Sequence, residues 1–77
     1  MNVQVKLFAD LRQYLPGGES PWAGELPEGT TVAKALEKFG VPEGKPRILL
    51  VNGRHAQPGQ ELREGDLLSV FPPVAGG

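Results

Sequence analysis

The sequence predicts an α+β domain in which one main helix packs on one face of a mixed sheet of about four to five strands. Two observations support this fold class. Several short segments alternate apolar and polar residues, as strands do, and a single stretch between them has helical periodicity. The chain has 77 residues, which is enough for one domain but leaves little room for a large pocket. We therefore expect residues 1–77 to form a single domain.

The N-terminal third predicts two strands. Apolar residues alternate from Val3 to Ala9, which indicates a strand with one buried face and places Phe8 on the opposite face. One helical turn is expected at residues 10–15, and a weaker strand at residues 22–26 between two prolines. The first two strands would form a hairpin.

The best-supported element is a helix that begins near Val32. Val32, Leu36 and Phe39 recur at the spacing of one helical face, and the residues between them are mostly good helix formers. Either threonine of the pair 30–31 can cap the N-terminus, and Gly40 is suited to end the helix.

Three further strands are expected in the C-terminal half. Residues 48–51 are apolar at every position, which predicts a strand buried on both faces. Asn52-Gly53 favours a hairpin, with a short returning strand at residues 55–56, and residues 67–72 form the last strand. The predicted core consists of Val3, Val5, Leu7, Val32, Leu36, Phe39, Leu68 and Val70.

Composition excludes several classes of function. Eight basic and nine acidic residues give a formal charge of −1, which offers no electrostatic footprint for nucleic acid or an anionic membrane. The chain has no cysteine, so thiolate catalysis, disulfides and cysteine-ligated metals are excluded. The single histidine, His55, has no spaced metal ligand or nucleophile and is interpreted as a solvated strand residue. Without a signal peptide or an apolar span, cytoplasmic residence is expected.

Two phenylalanines predict a contact surface. By alternation, Phe8 and Phe71 both point away from the sheet face under the helix. Aromatic rings on a free sheet face often mark a docking site. The alternative is that the two rings cover each other or fill a second small core.

The C-terminus carries the sharpest functional signal. Pro72 and Pro73 cannot donate ladder hydrogen bonds, so they end the sheet and favour an extended chain. The four residues that follow can reach about 13–14 Å. Glycine lacks a Cβ, so Gly76 and Gly77 could enter a narrow channel and bring the terminal carboxylate to a reacting centre. The alternative is an ordinary frayed terminus.

Over its whole length the sequence resembles the MoaD/ThiS sulfur carriers, relatives of ubiquitin with the β-grasp fold. The double proline is more similar to the molybdopterin synthase small subunit, MoaD, than to the thiamin carriers. The resemblance rests on the segments Lys6–Arg12, Thr31–Phe39, Leu50–Gly53, Glu64–Asp66 and Phe71–Gly77.

The resemblance implies a non-catalytic subunit whose chemistry takes place on Gly77. A MoeB-like E1 enzyme, with its own ATP and Mg²⁺, would adenylate the Gly77 carboxylate, and a sulfur donor would convert it to a thiocarboxylate. A MoaE-like large subunit, in a heterotetramer, would receive the sulfur for the molybdopterin dithiolene. The chain itself would bind no cofactor and no metal.

The resemblance also implies which residues meet the partners. The expected partner-binding residues are Phe8, Arg12, Phe71, Pro72, Pro73, Val74 and Ala75, with 72–77 a flexible functional tail and Gly76 needed for access. His55 stands where this family commonly has an apolar contact residue. A carrier for thiamin, cysteine or tRNA thiolation, or a ubiquitin-like protein modifier, has the same tail chemistry and remains an alternative.

Overall fold

The computed structural model describes residues 1–42 and 47–72 and confirms the α+β prediction. A five-stranded mixed sheet carries one α-helix on one face. Two 3₁₀ segments, Ala9–Tyr14 and Pro16–Gly18, follow the first strand. The elements are β1 (Asn2–Leu7), β2 (Trp22–Glu25), α1 (Val32–Lys38), β3 (Ile48–Val51), β4 (Arg54–His55) and β5 (Leu67–Phe71).

The last strand lies at the centre of the sheet. The strand order is β2-β1-β5-β3-β4, so β5 is bordered by β1 and β3. The β1–β5 pair is parallel, whereas β1–β2, β3–β5 and β3–β4 are antiparallel. The predicted N-terminal hairpin is therefore confirmed, and β5, which precedes the predicted tail, is held on both sides.

The helix α1 begins where the sequence predicts. Thr31 is the N-cap residue, and its Oγ1 accepts a hydrogen bond from Lys34 N at 3.2 Å. Gly40 has a φ of 77°, which suits glycine after a helix end. Val32 and Leu36 lie on the inner face of the helix and are almost fully buried. No helix within 1–42 or 47–72 is long and apolar enough to cross a membrane.

The core lies between α1 and one face of the sheet. Seven of the eight predicted core residues are buried. Phe39, expected to be largely buried, is instead half-buried at the helix C-cap, where its ring meets Trp22 edge-on at a centroid distance of 5.0 Å. The buried apolar residues are Val3, Val5, Leu7, Leu11, Leu15, Leu26, Val32, Ala35, Leu36, Val41, Leu49, Val51, Leu62, Leu68 and Val70.

The first strand ends before Ala9, which corrects the predicted alternation. Ala9 has a φ of 55° and starts the 3₁₀ segment instead of continuing the strand. Leu11 N donates to Phe8 O at 3.1 Å, which closes the turn. The turn places Leu11 in the core, and its burial favours this change of direction over a longer strand.

The strand β3 is buried on one face and not on both. Leu49 and Val51 lie in the core, but Ile48 remains 38% exposed and Leu50 is half-buried. The prediction failed because the single helix covers one side of the sheet, so the apolar residues of β3 on the other side face outward.

The hairpin predicted at Asn52-Gly53 is present. Both residues have positive φ, 53° for Asn52 and 82° for Gly53, as a tight two-residue turn requires. The returning strand β4 contains His55, which is exposed as predicted.

Candidate functional site

The rings of Phe8 and Phe71 form a stacked pair at one end of the open sheet face. Their centroids are 4.1 Å apart and their planes differ by 14°. Phe8 N donates to Val70 O at 3.1 Å, so the residue after β1 continues the parallel ladder and brings its ring beside that of Phe71. Both residues are half-buried. Each ring covers the other in part, and each retains exposed surface.

The strand register extends this pair into a larger apolar surface. Ile48 pairs with Phe71, so Phe8, Phe71 and Ile48 form one row across three strands. In the adjacent row Leu50 pairs with Ser69 and with His55. We call Phe8, Ile48, Leu50 and Phe71 the open-face patch. It lies on the side of the sheet opposite to α1, as predicted for the two phenylalanines.

A basic side chain, that of Lys6, borders the open-face patch. Lys6 pairs with Ser69 and lies in the same row as Leu50 and His55. Arg47 immediately precedes Ile48, but its Nη1 donates to Pro42 O at 2.7 Å, in the segment that follows α1. These two rows, all of whose residues are described, contain no carboxylate. A partner that presents apolar groups with acidic neighbours would therefore complement this face.

Arg12 lies in the 3₁₀ segment that follows Phe8. Its side chain is exposed, and Nη2 approaches Gly18 O at 3.5 Å, a long contact that leaves most of the guanidinium's donors for other acceptors. The segment also contacts β5. Arg12 is thus close in the chain to the stacked pair, in a position open to a partner.

The tail begins beside the open-face patch. The strand β5 ends at Phe71, one of the stacked residues, and Pro72 is the last described residue. The predicted tail positions Pro73, Val74, Ala75, Gly76 and Gly77 lie outside the described residues. Any partner bound to the patch would sit next to the point from which the tail continues.

Sequence reasoning did not find Ile48 and Leu50 as surface residues. The run at residues 48–51 has no alternation, so it does not indicate which pair faces out. The predicted fold could have identified them, because a single helix covers one face of the sheet and leaves the other face open. Within 1–42 and 47–72 there is no cluster of three histidine or acidic residues placed to hold a metal ion.

Comparison with known proteins decides the family. A model of the ThiS family matches residues 5–77, nearly the whole chain. The chain belongs to the ThiS family. Members of this family are small ubiquitin-like sulfur carriers without a catalytic site of their own.

Solved structures agree with this ThiS-family assignment. SAMP1 of Haloferax volcanii, small archaeal modifier protein 1, superposes with a TM-score of 0.76 at 28% identity over 100% of both chains. A protein described as a putative molybdopterin converting factor subunit 1, from Pyrococcus furiosus, gives 0.73 at 34% identity over 95% of this chain and 98% of that one. The predicted ubiquitin-like β-grasp fold is confirmed.

Two further likenesses carry less weight. The protein RnfH of Pseudoalteromonas translucida is 38% identical over 56 residues, or 65% of this ThiS-family chain, which spans about half (52%) of that relative's length. A complex of subunits 1 and 2 of the molybdopterin-converting factor of Helicobacter pylori matches with a TM-score of 0.63 at 20% identity, covering 100% of both chains. At that identity the likeness shows the fold alone.

Proposed function

We propose that this chain is the sulfur-carrying small subunit of a molybdopterin synthase. The observation that carries the proposal is the position of the stacked pair, since Phe71 is both part of the open-face patch and the last residue of the tail-bearing strand. The likeness to the Pyrococcus furiosus subunit 1, at 34% identity, and the double proline at 72–73 support this branch of the family.

In the proposed reaction the chain supplies the carrier atom and the partners supply the catalysis. A Gly77 carboxylate oxygen attacks the α-phosphorus of ATP in the site of a MoeB-like E1 enzyme, and Mg²⁺-bound pyrophosphate leaves. A donor of sulfide-level sulfur then attacks the carbonyl carbon of the adenylate, the bond from that carbon to the AMP oxygen breaks, AMP leaves, and a thiocarboxylate remains on Gly77. No cofactor is bound by the chain itself in this scheme. Cytoplasmic residence is part of the same proposal.

The second half of the cycle uses a MoaE-like large subunit. The open-face patch and Arg12 dock on it, residues 72–75 lead the terminus into its site, and the sulfur passes to a pterin precursor. The subunit-1 designation of the Pyrococcus furiosus relative is consistent with a multi-subunit factor. Two small and two large subunits would form the proposed heterotetramer.

The test is intact-protein mass spectrometry. The chain is incubated with the E1-like enzyme of its own organism, ATP, Mg²⁺ and a sulfur donor. One terminal oxygen should be replaced by sulfur, and tandem fragmentation should place that sulfur on Gly77. Absence of any adenylate with every such E1-like enzyme of the organism would refute the carrier function.

A ubiquitin-like protein modifier is the second candidate, favoured by the likeness to small archaeal modifier protein 1. Both candidates need an adenylated Gly77, and they differ in what accepts the acyl group or sulfur. Isopeptide-linked adducts on lysines of other proteins would support the modifier. Restoration of molybdopterin synthesis by the sulfurated chain with a large subunit would support the carrier, and sulfur passing into thiamin, cysteine or tRNA would assign another pathway.

A further inference from the structure

We propose that Asn52 is a deamidation site whose reactivity in the folded protein is restrained by Asp66. Asn52 precedes Gly53 in the β3–β4 turn. Glycine has no side chain to hinder its backbone nitrogen, so an Asn-Gly pair cyclises more readily than other asparagine pairs. This site is independent of the sulfur-carrier proposal.

The reaction is a cyclisation followed by hydrolysis. The Gly53 backbone nitrogen attacks Cγ of Asn52 and loses its proton, while the Cγ–Nδ2 bond breaks and ammonia leaves. The product is a cyclic imide between residues 52 and 53. One water then opens either imide carbonyl and gives aspartate or isoaspartate at position 52. Water is the sole co-reactant, and no oxidant or reductant is needed.

In the folded protein two hydrogen bonds hold the side-chain amide of Asn52. Its Nδ2 donates to Asp66 Oδ1 at 2.9 Å, and its Oδ1 accepts from Leu67 N at 2.9 Å. The Asn52 backbone nitrogen also donates to Leu67 O at 2.8 Å. Ring closure requires the side-chain amide to turn towards its own main chain, so both side-chain hydrogen bonds must first break.

Asp66 is itself fixed, which makes it an effective restraint. Its other oxygen, Oδ2, accepts from Arg63 N at 2.8 Å. One carboxylate therefore ties the 63–66 turn to the β3–β4 turn. Hydrogen bonds to a charged acceptor are stronger than neutral ones. We assign Asp66 as the positioning residue that keeps Asn52 in its unreactive orientation.

Deamidation would turn the attractive contact between residues 52 and 66 into a repulsive one. An aspartate at position 52 would place a second carboxylate against Asp66, where the native side chain donates a hydrogen bond. The turn joins β3 to β4, and one residue pair, Val51–Arg54, lies between it and the Leu50–His55 pair. Loss of the contact would therefore loosen the hairpin that carries one edge of the open-face patch.

The experiment compares deamidation rates of the folded protein and of a free peptide at mildly alkaline pH. Trypsin releases residues 48–54, in which Asn52 is the one side-chain amide, so the peptide mass reports this site alone. Folded wild-type protein should deamidate at least about tenfold more slowly than synthetic peptide 48–54. Asn52→Gly tolerates the positive φ and should show no mass change.

Two variants test the role of Asp66. Asp66→Ala should raise the rate towards that of the peptide, and Asp66→Ser should do the same while retaining a hydroxyl that can accept from Arg63 N. Circular dichroism confirms that each is folded. A rate unchanged or lowered in the folded variants would overturn the proposal. Wild-type protein that reacts equally fast folded and in urea would also overturn it, with no need for either variant.

Discussion

Phe71 is stacked on Phe8 at a centroid distance of 4.1 Å and is also the residue at which β5 ends. The two rings lie on the sheet face opposite to α1, and the core cluster formed by the described residues does not include them. The pair therefore contributes less to the hydrophobic core than to the surface beside the tail. This relationship determines what substitutions on the open face should do.

Phe71→Ala should weaken binding to the E1-like enzyme or the large subunit and leave the fold intact. Loss of an aromatic anchor from an interface costs about 2 kcal/mol or more, or roughly 30-fold in Kd. Isothermal titration calorimetry measures the affinity, and circular dichroism the fold. Phe39→Ala is the matched control for partner affinity. It removes a ring that packs against Trp22 on the helix side and not on the open face. If Phe71→Ala unfolds the chain, the ring belongs to the core.

Ile48→Asp tests the part of the open-face patch that the sequence did not reveal. Ile48 is 38% exposed, so the change should alter the free energy of unfolding little. Placed in the row of Phe71, the new carboxylate should lower partner affinity by tenfold or more, that is, by at least about 1.4 kcal/mol. Leu49→Asp is the control on the same strand, since Leu49 is in the core and its replacement should unfold the protein. Unchanged affinity for Ile48→Asp would remove β3 from the docking surface.

Gly24→Ala should destabilise the chain by about 1–3 kcal/mol. A Cβ at position 24 would lie 2.5 Å from the Trp22 indole, which would have to move from its contact with Phe39. Gly59→Ala is the matched control, because a Cβ there meets no atom within 4 Å and the glycine does not need positive φ. Urea denaturation followed by tryptophan fluorescence measures both. Equal stability of the two variants would show that the indole has room to shift.

Deleting Gly77, or adding one residue after it, should abolish thiocarboxylate formation with little change in Tm. The reason is that β5 ends at Phe71, before these positions. Gly76→Ala should slow adenylation by crowding the approach to the partner's site. Intact-protein mass spectrometry and a thermal melt provide the measurements. Sulfur acquired by the Gly77-deleted chain would place the carrier atom elsewhere.

The sequence predicted those elements whose residue pattern fits only one type of secondary structure. Val3, Val5 and Leu7 alternate, and Val32 and Leu36 repeat at helical spacing, so strand, helix and most of the core followed directly. Residues 48–51 have no such pattern, and which of them face outward depends on a helix elsewhere in the chain. Sheet order also depends on contacts between distant segments, which local periodicity does not encode.

The candidate site was also predicted only in part. Alternation placed Phe8 and Phe71 on one face, but their stacking depends on the parallel register of β1 and β5, which local periodicity does not indicate. The packing of Trp22 was not predicted for a comparable reason. Its partner on the same face is Gly24, two residues on, and only the folded sheet shows that the indole lies across that glycine.

The central position of β5 has a consequence for the synthesis of this protein. The parallel β1–β5 pair joins Gln4 to Leu67, and β3 reaches β1 only through β5. A nascent chain that stops before Leu67 therefore cannot close its sheet, and pairing across such a separation is a slow, late event in folding. Assembly of the open-face patch, which combines residues of β3 and β5, thus waits for the last strand. Prematurely ended products of translation would therefore lack the surface that is proposed to bind partners.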